Sequence, residues 1–149
     1  MITSSSEGRY PVERILIGYD GSPESDRALE RTAQLAKAFG SHVTVVGVAP
    51  VLAPVGRGAG AVDPTESPDE YEAQSDAAAA KLAELGVDAD HVTVVGRPGK
   101  AIAELAGERD ADLVVVGTRD MNAVERLFAG GSVSDAVHHH APCDVLIVR

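Results

Sequence analysis

The sequence has few aromatic residues and no tryptophan, because only 3% of its 149 residues are Phe, Trp or Tyr. A core without large rings has to be built from Val, Leu, Ile and Ala, and hydrophobic residues make up 44% of the chain. Small and β-branched aliphatic side chains are typical of a parallel sheet buried between helices. Length and composition therefore favour one globular domain of ordinary size.

Positive charge is also scarce. The formal net charge is −10 at pH 7, which leaves no basic face large enough to neutralise many phosphates. The composition argues against a nucleic acid or an anionic membrane as a partner, whereas small, discrete anions are compatible with it. No apolar run approaches the roughly 20 residues that a membrane-spanning helix needs, so we expect a soluble protein.

Cysteine is nearly absent too, and the single Cys143 cannot form an internal disulfide. The opening MITSSSEGRY has neither the basic start nor the apolar core of a secretory signal. We therefore expect a cytoplasmic protein. Residues 1–10 are predicted to form a flexible tail, and residues 11–149 a single domain.

Five short runs rich in β-branched residues predict strands. They cover residues 14–20, 42–50, 91–98, 112–118 and 144–149. Apolar residues at helical spacing lie between these runs, and strands that alternate with helices indicate βαβ units with right-handed crossovers. Gly, Pro and Ala dominate residues 51–68, which predict a long loop before a helix over residues 69–85.

The limits of two helices are marked by capping residues. Ser22 followed by Pro23 predicts the start of the first helix, and Gly40 predicts its end. Pro98-Gly99 opens a later helix in a similar way.

Glycine recurs near the carboxyl ends of four predicted strands, at Gly18, Gly47, Gly96 and Gly117. Open parallel sheets bind ligands beyond these ends, at the point where the strand order reverses. The carboxyl edge of the sheet is therefore the predicted location of any binding site.

A glycine-rich loop follows one of these strands, with Gly117 at its start and Gly130, Gly131 and Ser132 before the last predicted helix. Glycine lets main-chain N–H groups approach a phosphate, and a helix N-terminus adds unpaired donors. The same residues also fit a plain strand-to-helix turn with Ser132 as its N-cap. Spacing alone leaves both interpretations open.

Asp20, in the sequence GYDGS after the first strand, is the other candidate for a binding role. Its carboxylate could accept a hydrogen bond from a nucleotide base or sugar hydroxyl, or bind a metal ion beside phosphates. The alternative is an Asx turn that holds Gly21 and the start of the helix. Local sequence does not separate the two.

Other chemically active residues give weaker signals. His138, His139 and His140 are consecutive, so a helix cannot present them as the i, i+4 pair of a zinc site. Cys143 lies in no nucleophile motif and is interpreted as a packing residue. The acidic residues around Asp69 are interpreted as a solvated face. We therefore expect no catalytic residues and no dedicated metal site.

Several longer segments together resemble the universal stress protein family over residues 12–149: GYDGS, VTVVGVAP, VVGRPGKAI, DLVVVGT and GGSVSDAVHHHAPCDVLIVR. The resemblance implies an α/β, Rossmann-like fold with a five-stranded parallel sheet in the order 3-2-1-4-5 and helices on both faces. It also implies a homodimer joined through the last strand. Residues 144–149 would form an exposed apolar edge of the kind that seeks a partner.

One branch of this family binds ATP through a motif of Gly, two residues, Gly, nine residues, and Gly followed by Ser or Thr. Gly117 matches the first glycine, and Asp120 stands where the second is expected. Gly131-Ser132 closes the motif after ten residues instead of nine. If Gly130 is taken as the closing glycine, the spacing of nine residues is kept, but Gly131 stands where Ser or Thr is expected.

By the family pattern, Asp20 would meet the adenine or ribose, Gly18 and Val48 would line the base pocket, and Ser132 and Ser134 would donate to phosphates. The full set of residues implied at the nucleotide site is Gly18, Asp20, Val48, Val116, Gly117, Asp120, Gly130, Gly131, Ser132, Val133 and Ser134.

The resemblance implies a cytoplasmic stress-response module that binds ATP, AMP or ADP, with or without Mg²⁺. The alternative is a nucleotide-free dimeric interaction protein in which the glycine loop is only structural. Slow ATP hydrolysis ranks last, because no residue near the loop is an obvious base for water and phosphoryl transfer needs a positioned nucleophile.

Replacing Asp120 with glycine is expected to tighten ATP binding. A carboxylate about 4 Å from a phosphate charge costs on the order of 4 kcal/mol at an effective dielectric near 20. Its removal would strengthen affinity by up to roughly a thousandfold, and by less where water and salt screen the charge. Calorimetric titration of Asp120→Gly measures the change. Unchanged affinity would contradict the repulsion, and weaker affinity would show that Asp120 assists binding, for which a bridging cation is one route.

Overall fold

The structure, a computed structural model, describes residues 11–49, 68–117 and 143–149. In these residues the strands are β1 (Arg14–Gly18), β2 (His42–Ala49), β3 (Ala89–Val95), β4 (Leu113–Gly117) and β5 (Asp144–Val148). The helices are α1 (Pro23–Phe39), α2 (Pro68–Glu84) and α3 (Pro98–Glu108). The predicted tail, the predicted loop up to residue 67 and the glycine loop from residue 118 to residue 142 lie outside the described residues.

The five strands form one parallel sheet in the order β3-β2-β1-β4-β5, which confirms the predicted topology. β1 lies at the centre, with Ile15 opposite Val43 of β2 and opposite Leu113 of β4. The chain runs from β1 to β3 on one side of the sheet and from β4 to β5 on the other. The strand order therefore reverses between β1 and β4.

Helices cover both faces of the sheet, as the resemblance implied. Ile15 and Ile17 point to the face on which α1 and α2 lie, where they pack with Leu29 and Leu82. Leu16 points to the opposite face, towards α3. Because neighbouring residues of a strand face opposite sides, this alternation divides the core into two layers. None of the three described helices is long and apolar enough to cross a membrane.

The predicted caps of α1 are confirmed. The Ser22 hydroxyl oxygen accepts a hydrogen bond from the Ser25 N–H at 3.1 Å, and Pro23 occupies the first turn. Gly40 ends the helix in the left-handed conformation, with φ 71°. A residue with a side chain would be strained there. α3 begins at Pro98, as predicted, after Arg97.

A carboxylate fastens the start of β1 to the start of β4. Asp112 accepts hydrogen bonds from the N–H groups of Glu13 at 2.8 Å and Arg14 at 2.9 Å. The Asp112 N–H donates in turn to the Arg14 carbonyl at 2.8 Å. These hydrogen bonds fix the register of β1 against β4 at the amino ends of both strands, next to their apolar residues.

β3 differs from its prediction, since it begins two residues earlier, at Ala89, and ends earlier, at Val95. The strand extends back because β2 pairs with it from Val43 onwards, with Thr44 opposite Asp90. A polar Asp90 gives no strand signal in the sequence, and its carboxylate is held here by the Thr44 hydroxyl at 2.7 Å. Gly96 directly follows the strand and has φ 157°, a backbone conformation that residues with a side chain rarely adopt.

An ionic cluster joins β2, β3 and the end of α3 at the amino edge of the sheet. The His42 ring nitrogens lie 2.8 Å from an Asp88 oxygen and 3.0 Å from an Asp90 oxygen. Arg109 also donates to Asp90, at 3.1 Å. Partial burial lowers the pKa of His42, but the hydrogen bonds and charges of Asp88 and Asp90 outweigh it, so the pKa is raised above its usual value.

The free energy of unfolding is expected to depend on this histidine between mildly acidic and alkaline pH. A raised pKa in the folded state makes the stabilisation complete below the unfolded value of about 6.5 and lost as pH rises through the folded value. The free energies of unfolding of the wild type and His42→Gln, measured in urea, should therefore differ most near about pH 5.5 and least near about pH 9. Since the His42 side chain is 38% exposed, high salt should shrink the difference. A difference independent of pH would contradict a charged His42.

Candidate functional site

A cleft of about 400 Å³ opens at the carboxyl edge of the sheet, where the strand order reverses. The ends of β1, β2 and β4 form its floor, and the first turns of all three described helices form its walls. A smaller cavity of about 310 Å³ lies at the amino edge, beside Arg14 and Arg109. None of the predicted site residues that the structure describes lines that smaller cavity.

The cleft brings together all the predicted site residues that the structure describes. These are Gly18, Asp20, Val48, Val116 and Gly117. The other six lie outside the described residues and stay predictions: Asp120, Gly130, Gly131, Ser132, Val133 and Ser134.

Asp20 has the local structural role that was one of its two interpretations. Its carboxylate accepts a hydrogen bond from the Ser22 N–H at 2.9 Å, which forms an Asx turn. The turn encloses Gly21, whose φ is 80°. Asp20 is also exposed and lines the cleft, so the turn places this carboxylate at the rim of the binding space.

Gly117 is required by packing. A Cβ atom at this position would lie 2.5 Å from the Glu24 carbonyl oxygen and 3.1 Å from the Ser25 nitrogen. Both are backbone atoms in the first turn of α1, which cannot rotate away as a side chain can. The glycine therefore lets α1 begin directly against the end of β4.

The floor of the cleft is apolar. A Cβ atom on Gly18 would lie 2.9 Å from Ile102 Cδ1 and 3.5 Å from Val116 Cγ1. Val48 and Val46 complete this surface from the neighbouring strand. The absence of a side chain on Gly18 keeps a flat, apolar slot open between the strand ends and α3.

The α2 helix contributes a wall of the cleft that was not predicted from the sequence. Glu70, Tyr71 and Gln74 of its first turns line the cleft. The helix itself was predicted, but its acidic start was interpreted as a solvated face. The signal that could have found these residues is topological, because every helix of a parallel sheet that follows a strand begins near the carboxyl edge.

Besides His42, two described residues have side chains with a raised pKa: Tyr19, which lines the cleft, and Cys143, which precedes β5 at the opposite edge of the sheet. Burial raises the pKa of Tyr19, together with its hydrogen bond to Asp26, to about 12, so this phenol stays neutral near pH 7. Burial also raises the pKa of the Cys143 thiol, next to the charge of Asp144. Cys143 packs against the α3 side of the core, as predicted for a packing residue. The described residues contain no group of three side chains suited to a metal ion.

Comparison with known sequences agrees with the geometry. The sequence profile of the universal stress protein family matches residues 11–149. The chain belongs to this family. A Staphylococcus aureus (strain USA300) protein that carries the family's name is 36% identical over 153 residues, which cover 92% of this chain and 84% of that protein.

Solved structures of universal stress proteins have the same fold. One, in complex with cAMP, is 27% identical and superposes with a TM-score of 0.65, covering 93% of this chain and 98% of that one. Another, from Archaeoglobus fulgidus in complex with dAMP, is 23% identical with a TM-score of 0.62, covering 93% and 99%. At that identity the second similarity concerns the fold alone.

Replacing Gly117 with alanine is expected to destabilise this universal stress protein by about 1–3 kcal/mol, the usual range for overpacking. The new methyl group would press on the backbone of α1. Gly18→Ala is the matched control, since its methyl group meets the movable end of Ile102 and should cost less. Denaturant unfolding of both variants gives the comparison. Equal stabilities would contradict a packing role for Gly117.

Proposed function

We propose that this universal stress protein binds an adenine nucleotide in the cleft at the carboxyl edge and acts as a small stress-response module. One observation carries the proposal: the five described residues that the family pattern assigns to the nucleotide all line one cleft. The cleft lies at the switch point of the sheet, where open α/β folds bind ligands. The cAMP and dAMP complexes of two structural neighbours support the same ligand class.

The cleft has the shape and chemistry for a nucleoside. Its volume of about 400 Å³ falls in the range of small-molecule sites. The base would lie in the apolar slot between Val48 and Val116, over Gly18. Asp20, at the exposed rim, would accept a hydrogen bond from a ribose hydroxyl while its Asx turn holds it in place.

The phosphates would extend towards the glycine loop. We propose that main-chain N–H groups at Gly130 and Gly131, with the hydroxyl groups of Ser132 and Ser134, donate to them. The described lining contains the carboxylates of Asp20 and Glu70 but no Lys or Arg. A triphosphate therefore meets more repulsion than a monophosphate, and Mg²⁺, which prefers oxygen ligands and phosphates, would offset it.

The proposed activity is binding and not catalysis. Among the described lining residues, Tyr19 stays neutral at pH 7 and the Asp20 carboxylate already takes part in the turn. The remaining carboxylate, that of Glu70, is exposed at the start of α2. Hydrolysis would need a positioned base for the attacking water. ATP would then act as a bound signal whose presence changes the surface of the protein.

A second candidate function is a nucleotide-free dimeric interaction protein. The contact of Gly117 with the α1 backbone favours it, because packing alone accounts for that glycine. β5 pairs only with β4 among the described strands, and Ile147 on it is 38% exposed. In both functions we propose a homodimer through residues 144–149, where edge strands of two copies meet.

Titration with nucleotides is expected to separate the two functions. AMP should bind with micromolar affinity whether or not Mg²⁺ is present, whereas ATP should bind much more tightly with Mg²⁺, because the acidic rim repels the free triphosphate. Isothermal calorimetry measures both affinities. Mass spectrometry of the small molecule released on denaturation identifies what the protein carries when purified. Affinities weaker than millimolar for both nucleotides, with no released nucleotide, would favour the interaction protein.

A matched pair of variants tests the role of Asp20 with uncharged adenosine as the ligand. Asp20→Asn keeps a side-chain oxygen for the Ser22 N–H but removes the charge, and should weaken adenosine roughly tenfold as a charge-assisted hydrogen bond is lost. Asp69→Asn makes the same change on α2, outside the lining of the cleft, and should leave affinity unchanged. Equal weakening of adenosine binding in both variants would indicate a general effect of the lost charge and not a hydrogen bond from Asp20.

A further inference from the structure

The carboxamide of Gln74 reaches from α2 to the turn between β1 and α1. Its Cδ, Oε1 and Nε2 atoms lie 3.2, 3.3 and 3.4 Å from the place that a Cβ atom on Gly21 would occupy. The flat amide group therefore rests on Gly21, the residue directly after Asp20. It forms part of the lining of the cleft.

One atom of this amide is unsatisfied. Oε1 of Gln74 is shielded from solvent and accepts no hydrogen bond from the residues that the structure describes. A buried carbonyl oxygen without a donor is unfavourable, and the large majority of buried polar atoms have a partner. Among the described residues no donor offsets this cost, so a donor group on a molecule bound in the cleft would stabilise this oxygen.

We propose that Gln74 is a specificity-determining residue of the cleft, whose Oε1 accepts a hydrogen bond from the nucleoside part of the ligand. The inference rests on the proposed function. Ionised phosphate oxygens are acceptors, so a phosphate group cannot satisfy this atom. The donor belongs to the base or to the sugar, and both would lie in the cleft that Gln74 lines.

Two groups of an adenine nucleoside have the required chemistry. The exocyclic amine donates, and a glutamine amide can pair with adenine through this amine and the neighbouring ring nitrogen. The ribose hydroxyl groups also donate, and the contact of Gln74 with Gly21 places it beside Asp20, the proposed ribose ligand. Analogues that lack one donor at a time distinguish these sources.

The test compares the wild type with Gln74→Met, which keeps the length of the side chain and removes the acceptor. AMP should bind the variant roughly tenfold more weakly, the usual effect of one hydrogen bond. The tenfold difference should vanish for purine riboside monophosphate, which carries hydrogen in place of the amine, if the base amine is the donor. It should vanish for 2′-deoxy-AMP or 3′-deoxy-AMP if a ribose hydroxyl is the donor. A difference that persists with all three analogues would overturn the proposal.

Stability of the free protein gives a second readout, independent of any ligand. Removing an unpaired buried acceptor should raise the midpoint of thermal unfolding of Gln74→Met while its affinity for AMP falls. Gln34→Met, on an exposed position of α1, is the matched control and should change neither quantity. A lower midpoint would show that Oε1 is satisfied in the free protein and would count against the proposal.

The outcomes also separate this inference from the proposed function. Wild-type protein that binds AMP while Gln74→Met binds it equally well would overturn the role of Gln74 alone. Wild-type protein that binds no adenine nucleotide would overturn both. Gln74→Leu, with a shorter apolar side chain, provides the same comparison if the methionine variant does not fold.

Discussion

Parallel pairing of β1 with two neighbours is the interaction on which the rest of the structure depends. β1 bonds to β2 on one side and to β4 on the other, and Ile15, Leu16 and Ile17 are almost completely buried between the helical layers. The chain leaves β1 towards β2 on one side and later returns to the other side of β1 as β4. The connections that follow the carboxyl ends of β1 and β4 therefore run in opposite directions across the sheet. The cleft is the space that this divergence leaves open.

The two edges of the sheet have different physical characters. At the amino edge, Asp112 and the cluster around His42 fasten strands together with charged hydrogen bonds. At the carboxyl edge, glycines bring helices and strands into close contact and leave a slot. Gly117 illustrates that packing and binding need not be alternatives, since the glycine that admits α1 also leaves the end of β4 open to a ligand.

The sequence allowed the fold to be predicted well, because the buried β-branched runs and the caps at Ser22 and Gly40 are local signals. The start of β3 was missed because Asp90 is polar, and it joins the strand only through partners on β2 and α3. Gln74 was missed for a similar reason, as its position on Gly21 depends on how α2 packs and on nothing in its own sequence. For Asp20, sequence offered two roles, and the observed turn is compatible with both. The roles of the glycine loop stay predictions.

The position of β1 has a consequence for synthesis of the chain on the ribosome. β2, its partner on one side, follows soon after it in the sequence. β4, its partner on the other side, is synthesised much later, since Ile15 pairs there with Leu113. Until that distant strand has emerged, the nascent protein exposes the backbone and apolar residues of its future centre as an open sheet edge. Non-local pairing of this kind is slow to form, so this edge of β1 stays unpaired until β4 has been synthesised.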